Sequence, residues 1–384
     1  MSLSLRKFVA PEFIFGPGSR NLVAQYARNF GGMRILLVTD PGVTAAGWGR
    51  EVASRLVDEG LQVNVFDQVT PNPRDHEVMR GVEVYREYNC DVIVAVGGGS
   101  VIDCAKGIGI VAANHGNILQ FEGVDAVQVP MPPLICIPTT GGTSADVSQF
   151  AIVTNTAEKV KIAIISKAVV PDVALIDPET LLTMGAYLTA CTGIDAMVHA
   201  MEAYVSNAHS PITDMHALNA IRLLSVNLLA SVKHPEDLGL RSEVMQASLH
   251  AGLAFSNASL GVVHALAHSL GGFKDLPHGE CNALLLPHAL NFNYEVAPER
   301  YANIGEALGL DLRGLAVRDA RKRIIAQVLD LRGACGIADG LKARGVASAD
   351  ICGLAEKALK DPCNATNPRA PVQRDLEVIY EEAM

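Results

Sequence analysis

Four histidines and an aspartate in the middle of the chain have the residue types and spacing of a metal site. Asp195 and His199 are four residues apart, as are His264 and His268, so each pair lies on one face of a helix, one turn apart. His278 follows in a Pro-His-Gly turn. Three imidazoles and a carboxylate suit Fe(II), Zn(II) or a similar divalent ion, with room for an exchangeable oxygen ligand. One histidine is then left beside the metal to move protons.

Each pair also has a purely structural explanation. Asp195 and His199 could form a hydrogen-bonded pair on a helix surface. His264 and His268 could be core histidines whose ring nitrogens bond backbone carbonyls. Two such pairs together with a third histidine segment weaken the structural explanation, but the spacing alone does not decide between the two.

A glycine-rich segment, VIVAVGGGSVIDCAKG, is the second chemical signal. An apolar strand runs into Gly97-Gly98-Gly99-Ser100 and then into a helix, so the backbone can approach a diphosphate closely and the helix directs free N–H groups at it. The alternative is a tight turn in which Ser100 is the N-cap and Asp103 completes a capping box. Three consecutive glycines exceed what a cap needs, so we expect phosphate binding, although the spacing is not GxGxxG.

Two further segments that follow strands could complete a nucleotide site. Asp40 ends the first strong strand, where a carboxylate can accept from both ribose hydroxyls of NAD and would repel a 2′-phosphate. The sequence Asp40-Pro41-Gly42 could equally be a simple turn. Residues 138–143, PTTGGT, leave another strand with several hydroxyls and free amides, which suits either a second wall around the diphosphate or an ordinary polar loop.

The elements that must position these residues change character near Pro178. Before it, short β-branched runs alternate with helical segments, as in a parallel sheet. The predicted strands are FIFGPGS, RILLVTD, QVNVFD, DVIVAVG, PLICIPT and VALIDP, and FAIVTNTAEKVKIAII is predicted to form a β-hairpin. After it, apolar residues follow helical spacing. We therefore predict an α/β domain over residues 1–183 and an all-α domain over residues 184–384.

The composition excludes several classes of protein. A chain of 384 residues, 49% apolar and 19% charged, is long and apolar enough for two globular domains. A net charge of -10 without a Lys/Arg-rich run argues against a nucleic-acid partner. No apolar stretch of transmembrane length is uninterrupted, and the N-terminus lacks a signal-peptide core. Eight scattered cysteines without a CxxC pair fit a reducing cytoplasm.

The chain resembles the iron-containing (group III) alcohol dehydrogenases, a branch of the dehydroquinate-synthase-like fold. The resemblance spans essentially the whole chain. Its motifs are, in order, FGPGS, TDPG, TPNP, GGGSVIDCAKG, PTTGGTS, GIDAMVHAMEAYVS, GVVHALAHSLGG, PHG and TNPR. The resemblance implies an N-terminal Rossmann-like domain that binds NAD(P) and a C-terminal helical domain that holds the metal.

Carried over by motif, the resemblance implies particular site residues. The metal ligands would be Asp195, His199, His264 and His278, and His268 would lie beside the metal and the nicotinamide as a proton-relay or positioning residue. The cofactor contacts would be Asp40, Asn72, Gly98, Gly99, Ser100, Asp103, Thr139, Thr140, Thr143 and Lys161. Many family members read TTxGTGSE where this chain has Ser144-Ala145-Asp146 at the end, a departure that bears on substrate choice and turnover.

The function that the resemblance implies is reversible hydride transfer between a primary alcohol or aldehyde and NAD. The metal, Fe²⁺ or alternatively Zn²⁺ or Mn²⁺, would act as a Lewis acid. We expect a homo-oligomer, a dimer or a multiple of dimers. The alternatives are a zinc polyol (glycerol-type) dehydrogenase or a dehydroquinate-synthase-type lyase, against which the four-residue ligand set argues, and a non-catalytic protein that senses NAD or aldehydes.

Overall fold

The computed structural model describes residues 7–384, which form two compact units. The first unit comprises Pro11–Gly185 together with Pro235–Met245. The second comprises Ala186–His234 and Gln246–Met384, with residues 7–10. The glycine-rich segment therefore lies in the first unit, and the five candidates for the metal site lie in the second.

The first unit alternates strands with helices, as predicted. Its elements in chain order are β1 (Glu12–Phe15), α1 (Val23–Asn29), β2 (Arg34–Val38), α2 (Pro41–Ala46), α3 (Trp48–Asp58), β3 (Gln62–Phe66), α4 (Asp75–Glu87), β4 (Val92–Gly97), α5 (Gly99–Asn114), β5 (Gly123–Val124), β6 (Leu134–Pro138), β7 (Phe150–Asn155), β8 (Val160–Ile165) and β9 (Val173–Ile176). Every strand predicted from the sequence is present, and the two-residue β5 is the addition.

The main sheet has the strand order β1-β9-β6-β4-β2-β3, and all its neighbours run parallel. Successive residues of β2 pack on opposite faces: Leu36 belongs to the core under one face and Leu37 to the core under the other. Burial on both faces explains why these strands are continuous apolar runs in the sequence. Because the strands are parallel, the residues that follow β2, β4 and β6 share the carboxyl edge of the sheet.

The predicted β-hairpin is confirmed as a separate structure. Strands β7 and β8 pair antiparallel from Phe150↔Ile165 to Asn155↔Val160. Strand β5 adds to β8 in parallel and completes a small three-stranded sheet.

The second unit is helical, and residues 186–384, all of which the structure describes, contain no strand. The α-helices of residues 186–384 in chain order are α6 (Ala186–Val205), α7 (Pro211–Lys233), α8 (Leu238–Ala258), α9 (Val262–Lys274), α10 (His278–Asn293), α11 (Pro298–Ala307), α12 (Val317–Ala334), α13 (Ile351–Leu359) and α14 (Gln373–Glu382). Helix α8 up to Met245 belongs to the first unit. The predicted fold class, an α/β domain followed by an all-α domain, is confirmed.

Helix α7 is the one helix within residues 7–384 whose length and composition would allow it to cross a membrane. Its buried side chains, however, form one stripe at helical spacing, as in a helix that packs on a protein core. That stripe consists of Ala217, Ala220, Ile221, Leu224 and Leu228. Leu228 packs so closely against Gly193 of α6 that a Cβ on the glycine would lie 2.2 Å from Leu228 Cδ1.

Candidate functional site

Three imidazole nitrogens surround one carboxylate oxygen in the helical unit. The distances from Oδ1 of Asp195 are 3.9 Å to Nε2 of His199, 3.9 Å to Nε2 of His264 and 3.8 Å to Nε2 of His278. The potential ligand atoms of these four residues all lie within 4.8 Å of one another. Asp195, His199 and His264 are buried, whereas the His278 side chain is 23% exposed. We call these four residues the metal cluster.

Three helices bring the metal cluster together. Helix α6 supplies Asp195 and His199 from one face, α9 supplies His264 from its first turn, and α10 begins at His278. The glycine of the Pro-His-Gly turn permits this contact, because a Cβ on Gly279 would lie 2.3 Å from the carbonyl oxygen of Cys191 in α6. A side chain at residue 279 would therefore push the start of α10 away from Asp195.

A buried carboxylate fixes the orientation of His264. Glu202, on α6, accepts a hydrogen bond from Nδ1 of His264 at 2.6 Å and from the backbone N–H groups of Gly261 and Val263 at 3.0 and 2.7 Å. Burial raises the pKa of the Glu202 carboxyl to about 7 and lowers the pKa of His264 well below its ordinary value. His264 is therefore neutral, with its proton on Nδ1 and the lone pair of Nε2 directed at Asp195.

Asn282 of α10 lies where the lone pairs of the metal cluster converge. Its Nδ2 donates to Oδ1 of Asp195 at 2.6 Å and lies 3.2 Å from Nε2 of both His264 and His278. Its Oδ1 is buried without a hydrogen-bond partner in the part of the chain that the structure describes. Because one amide nitrogen contacts all three acceptor atoms, the two imidazole nitrogens and the carboxylate oxygen face a common point, where a hydrogen-bond donor or a cation can lie.

The metal cluster fits a divalent metal in composition and size. A lone pair of a neutral imidazole that faces a carboxylate is unfavourable unless a cation or a hydrogen-bond donor lies between them. Tetrahedral ions with bonds of ~2.0–2.2 Å hold their ligand atoms ~3.3–3.6 Å apart. The 3.8–3.9 Å distances from Asp195 to the three histidines would therefore shorten by a few tenths of an ångström, and no separation within the cluster, all of which are within 4.8 Å, would shorten by more than about 1.5 Å. Nitrogen and oxygen donors without sulfur suit Fe(II), Zn(II) or Mn(II).

His268 lies beside the metal cluster without joining it. It follows His264 by one turn of α9, and its ring stacks on that of His278 with centroids 5.3 Å apart. Its Nδ1 donates to Oδ2 of Asp361 at 2.8 Å. Burial alone would raise the pKa of Asp361, but its interactions with His268 and Cys363 outweigh burial, so that pKa lies below its ordinary value.

In the α/β unit, the glycine-rich loop touches the loop that follows β6. A Cβ on Gly98 would lie 2.9 Å from Cγ2 of Thr140, and one on Gly99 would lie 2.6 Å from Oγ1 of Thr143. The backbone N–H of Thr139 donates to the carbonyl of Gly97. The glycines are therefore needed for the close approach of two loops. This approach lies at the first turn of α5, and the amino end of a helix is the kind of position that binds phosphate.

A second set of predicted cofactor residues forms one hydrogen-bonded group. Nζ of Lys161, on β8, donates to Oδ1 of Asn72 at 2.7 Å, and the N–H of Asn72 donates to Oγ of Ser100 at 3.2 Å. Asn72 has a positive φ of 59°, a conformation that asparagine tolerates better than most residues. Asp103 lies on the first turns of α5, one turn after Ser100.

Asp40 has a structural role at the end of β2. Its Oδ1 accepts the N–H of Val43 at 2.8 Å and so caps α2, which Pro41 begins. Residues 40–42 therefore start a helix and do not form the simple turn expected as the alternative, and the N-cap bond uses only one of the two carboxylate oxygens of Asp40. An N-cap and a ribose acceptor are compatible in one carboxylate, since each oxygen has two lone pairs.

Comparison with known proteins identifies the family. Residues 10–178 match the family model described as iron-containing alcohol dehydrogenase, and residues 189–384 match the C-terminal model of the Fe-containing alcohol dehydrogenase family. The chain is 41% identical to 1,3-propanediol dehydrogenase of Klebsiella pneumoniae over the full length of both chains. It is 38% identical to NAD-dependent methanol dehydrogenase of Bacillus methanolicus, over 98% of this chain and 99% of that one.

A solved structure agrees with these relatives. The crystal structure of a 1,3-propanediol oxidoreductase superimposes with a TM-score of 0.96 at 40% identity, covering 99% of this chain and 100% of that one. The chain belongs to the iron-containing alcohol dehydrogenase family. The resemblance drawn from the sequence motifs is therefore confirmed, and with it the assignment as a metal-dependent alcohol dehydrogenase, an oxidoreductase. None of the relatives named here is a lyase or a sensor.

This iron-type dehydrogenase departs from the family pattern at residues 144–146. Ser144, where many members have glycine, has a φ of 50°, in the left-handed region that glycine adopts without a steric cost. Asp146 stands in place of glutamate and is buried, and that burial raises its pKa to about 6. The backbone thus keeps the conformation expected of a glycine although the side chain has changed.

Several residues of this dehydrogenase were not predicted from the sequence. Three polar residues contact the histidines from distant parts of the sequence: Glu202, Asn282 and Asp361. The only sequence signal for them was their position, since Glu202 lies within HAMEAY and the other two lie a few residues from PHG and TNPR. Lys106 of α5 is fully buried and donates to the carbonyls of Ser148 and Phe150 at 2.9 and 2.7 Å. It ties α5 to the start of β7, and burial lowers its pKa.

Proposed function

We propose that Asp195, His199, His264 and His278 bind the divalent metal of an NAD-linked alcohol dehydrogenase. The observation that carries the proposal is the convergence of three Nε2 atoms on one buried carboxylate oxygen, at 3.8–3.9 Å. A divalent metal held there would supply Lewis acidity toward the oxygen of an alcohol or aldehyde.

The residues around the metal cluster prepare it for that chemistry. Glu202 holds the proton of His264 on Nδ1, so that the opposite nitrogen keeps its lone pair for a metal. His199 stacks on Phe255 and on His264, with ring centroids 4.3 and 4.6 Å apart, and this buried stack keeps water from one side of the cluster. The more exposed His278 lies on the side that a substrate could approach.

The cofactor is proposed to be NAD, bound by the loops at the carboxyl edge of the main sheet. Nicotinamide supplies the hydride acceptor or donor. Gly98, Gly99 and Ser100 would present backbone N–H groups to the diphosphate, flanked by Thr139, Thr140 and Thr143. The group formed by Asn72 and Lys161 adds a buried positive charge beside Ser100, and Asp103 and Asp40 complete the proposed contacts. The NAD-dependent methanol dehydrogenase among the relatives supports this choice.

The substrate is proposed to be a small primary alcohol or short diol, or the corresponding aldehyde. The relatives that support it are named for 1,3-propanediol and methanol. The metal is proposed to be Fe²⁺, because the family is described as iron-containing. The donor set would also accept Zn²⁺ or Mn²⁺.

We further propose a cytoplasmic homo-oligomer, a dimer or a multiple of dimers. Strand β1 is an edge of the main sheet, and its Phe13 and Phe15 are 40% and 37% exposed, as on an edge that pairs with another chain. All eight cysteines are free, which suits a reducing compartment. No nucleic-acid or membrane partner is proposed, given the net charge of -10.

The test is a joint measurement of metal content and turnover on anaerobically purified protein. The wild type should contain about one divalent metal per chain and oxidise members of a panel of methanol, ethanol, 1,2-propanediol and 1,3-propanediol with NAD⁺. His264→Ala should lose most of the metal and nearly all turnover. His209→Ala, a histidine of the same unit paired with Asp214 instead, is the control and should keep both. Full metal occupancy in folded His264→Ala would refute the ligand assignment.

A further inference from the structure

The structure gives His268 a partner that neither the sequence motifs nor the family assignment explains. Asp361 lies 93 residues further along the chain, yet its Oδ2 accepts the Nδ1–H of His268 at 2.8 Å. Both side chains are nearly inaccessible, at 3% and 8% exposure. A carboxylate buried against a single imidazole is costly unless the pair has well-defined geometry.

The Asp361 carboxylate is itself fixed in position. Its Oδ1 accepts the backbone N–H of Cys363 at 2.8 Å and caps the short 3₁₀-helix Pro362–Thr366. Its own N–H donates to the carbonyl of Ala358 at the end of α13. One oxygen thus anchors the carboxylate to the backbone, and the other is left to orient His268.

This orientation determines which ring nitrogen of His268 has a lone pair. With the proton held on Nδ1 by Asp361, the neutral ring has its lone pair on Nε2, at the opposite edge. The same ring stacks on His278 and lies edge-on to His264, with centroids 5.3 and 6.0 Å apart. The acceptor nitrogen therefore belongs to a ring that borders two residues of the metal cluster.

We propose that Asp361 is a positioning residue that holds His268 in the Nδ1–H tautomer, so that Nε2 can accept the proton of an alcohol substrate or of a relay to solvent. The proposal rests on the proposed alcohol dehydrogenase function. Asp361 acts through His268 and touches neither the metal cluster nor the substrate.

The decisive variant is Asp361→Asn, which keeps the size and the anchor but reverses the hydrogen bond. The amide oxygen can still accept the Cys363 N–H, so the amide nitrogen faces His268 and donates to Nδ1, which moves the ring proton to Nε2. We expect kcat to fall about 10- to 100-fold, at or below the lower end of the ~10²–10⁴-fold range for general acid–base groups because His268 itself is retained, while KM, metal content and NADH binding stay near wild type.

A double-mutant comparison separates positioning from packing. In a His268→Ala background, Asp361→Asn should cause no further fall in kcat, because the residue through which it acts is gone. The control Asp214→Asn alters another aspartate–histidine pair of the same unit, with His209, and should leave kcat unchanged. An equal fall in both backgrounds would show a structural role and overturn the proposal.

A spectroscopic measurement keeps the inference independent of turnover and of the stability of the variant. In the zinc-loaded protein labelled with ¹⁵N-histidine, the resonances missing from His268→Ala identify His268. We expect a proton on Nδ1 in the wild type and on Nε2 in Asp361→Asn. A wild-type proton on Nε2 would refute the role of Asp361, whether or not the variant folds. Absence of alcohol turnover in the wild type would instead refute the proposed function.

Discussion

Three imidazoles arranged around one carboxylate are the defining feature of this protein at the scale of single residues. Two i,i+4 pairs could be recognised in the sequence, Asp195 with His199 and His264 with His268, because each pair lies on one helix. Glu202 and Asn282 could not, because a hydrogen bond across 62 or 87 residues leaves no periodic signal. The residues that hydrogen-bond to the metal cluster are brought to it by tertiary contacts, and the spacing of residues in the sequence does not reveal such contacts.

At the same scale, the N-cap role of Asp40 and its proposed contact with the ribose of NAD can be separated by a substitution. Asp40→Asn should keep the N-cap on Val43, since asparagine caps helices as well as aspartate does, but remove the charge that repels a 2′-phosphate. We expect the ratio of kcat/KM with NADPH to that with NADH to rise about fivefold or more, because like charges a few ångströms apart repel by about 1–4 kcal/mol. Steady-state kinetics with both cofactors would measure it.

The matched control for this variant is Asp58→Asn. It makes the same chemical change at the last residue of α3, beside the amino end of β3 and so at the opposite edge of the sheet. Its cofactor ratio should equal that of the wild type. A wild-type enzyme that already prefers NADPH at equal concentrations would contradict the role given to Asp40.

At the scale of elements, strands were easier to predict than the contacts of the loops that follow them. The strands of the main sheet could be recognised because burial on both faces makes each an unbroken apolar run, as in Val92–Gly97. The glycine-rich loop was recognised as well, but its packing against Thr140 and Thr143 was not. That contact joins two loops more than 40 residues apart, and no local pattern reports it.

Gly99→Ala tests this contact between loops. The added Cβ would lie 2.6 Å from Oγ1 and 2.8 Å from Cγ2 of Thr143, so the loops must separate. We expect a loss of about 1–3 kcal/mol in the free energy of unfolding, typical of overpacking, and NADH binding weakened about tenfold or more because the diphosphate cradle is displaced. Denaturant unfolding and NADH fluorescence titration are the measurements.

Two companion variants sharpen this experiment. Thr143→Ala combined with Gly99→Ala removes the two nearest atoms and should recover part of the lost stability. Gly333→Ala in α12, where an added Cβ would meet nothing within 4 Å, should instead stabilise the chain by about 0.5–1 kcal/mol through helix propensity. NADH binding by Gly99→Ala that matches the wild type would show that this loop does not bind the diphosphate.

For the molecule as a whole, the metal cluster links three helices that are far apart in the sequence. Helices α6, α9 and α10 each contribute to it, so an ion bound by the folded state alone stabilises the helical unit. At a free concentration 100 times its dissociation constant, an ion adds about 2.7 kcal/mol. We expect removal of the metal by a chelator to lower the melting temperature by about 5–10 °C.

Calorimetry of the metal-loaded protein, the chelated protein and the reconstituted protein would measure this shift. Restoring Fe²⁺ or Zn²⁺ should restore the melting temperature, and His264→Ala should show no response to either treatment. His209→Ala should respond as the wild type does. Equal melting temperatures with and without metal would contradict a structural link between the ion and these helices.

The start of helix α9 has a consequence for transplanting this site into another scaffold. All four residues of the metal cluster lie between Asp195 and His278, which suggests a compact module that could be excised. Yet Gly261 has no side chain to cap α9, and the N–H of Val262 is satisfied by Oδ1 of Asn367, near the C-terminus. Asn367 is held in turn by Asn293 and by the carbonyl of Arg369. If only the four ligands were transferred to another protein, the first turn of α9, which contains His264, would lose the hydrogen bond to Asn367 and would unwind. The smallest segment that keeps the site intact therefore extends to Arg369.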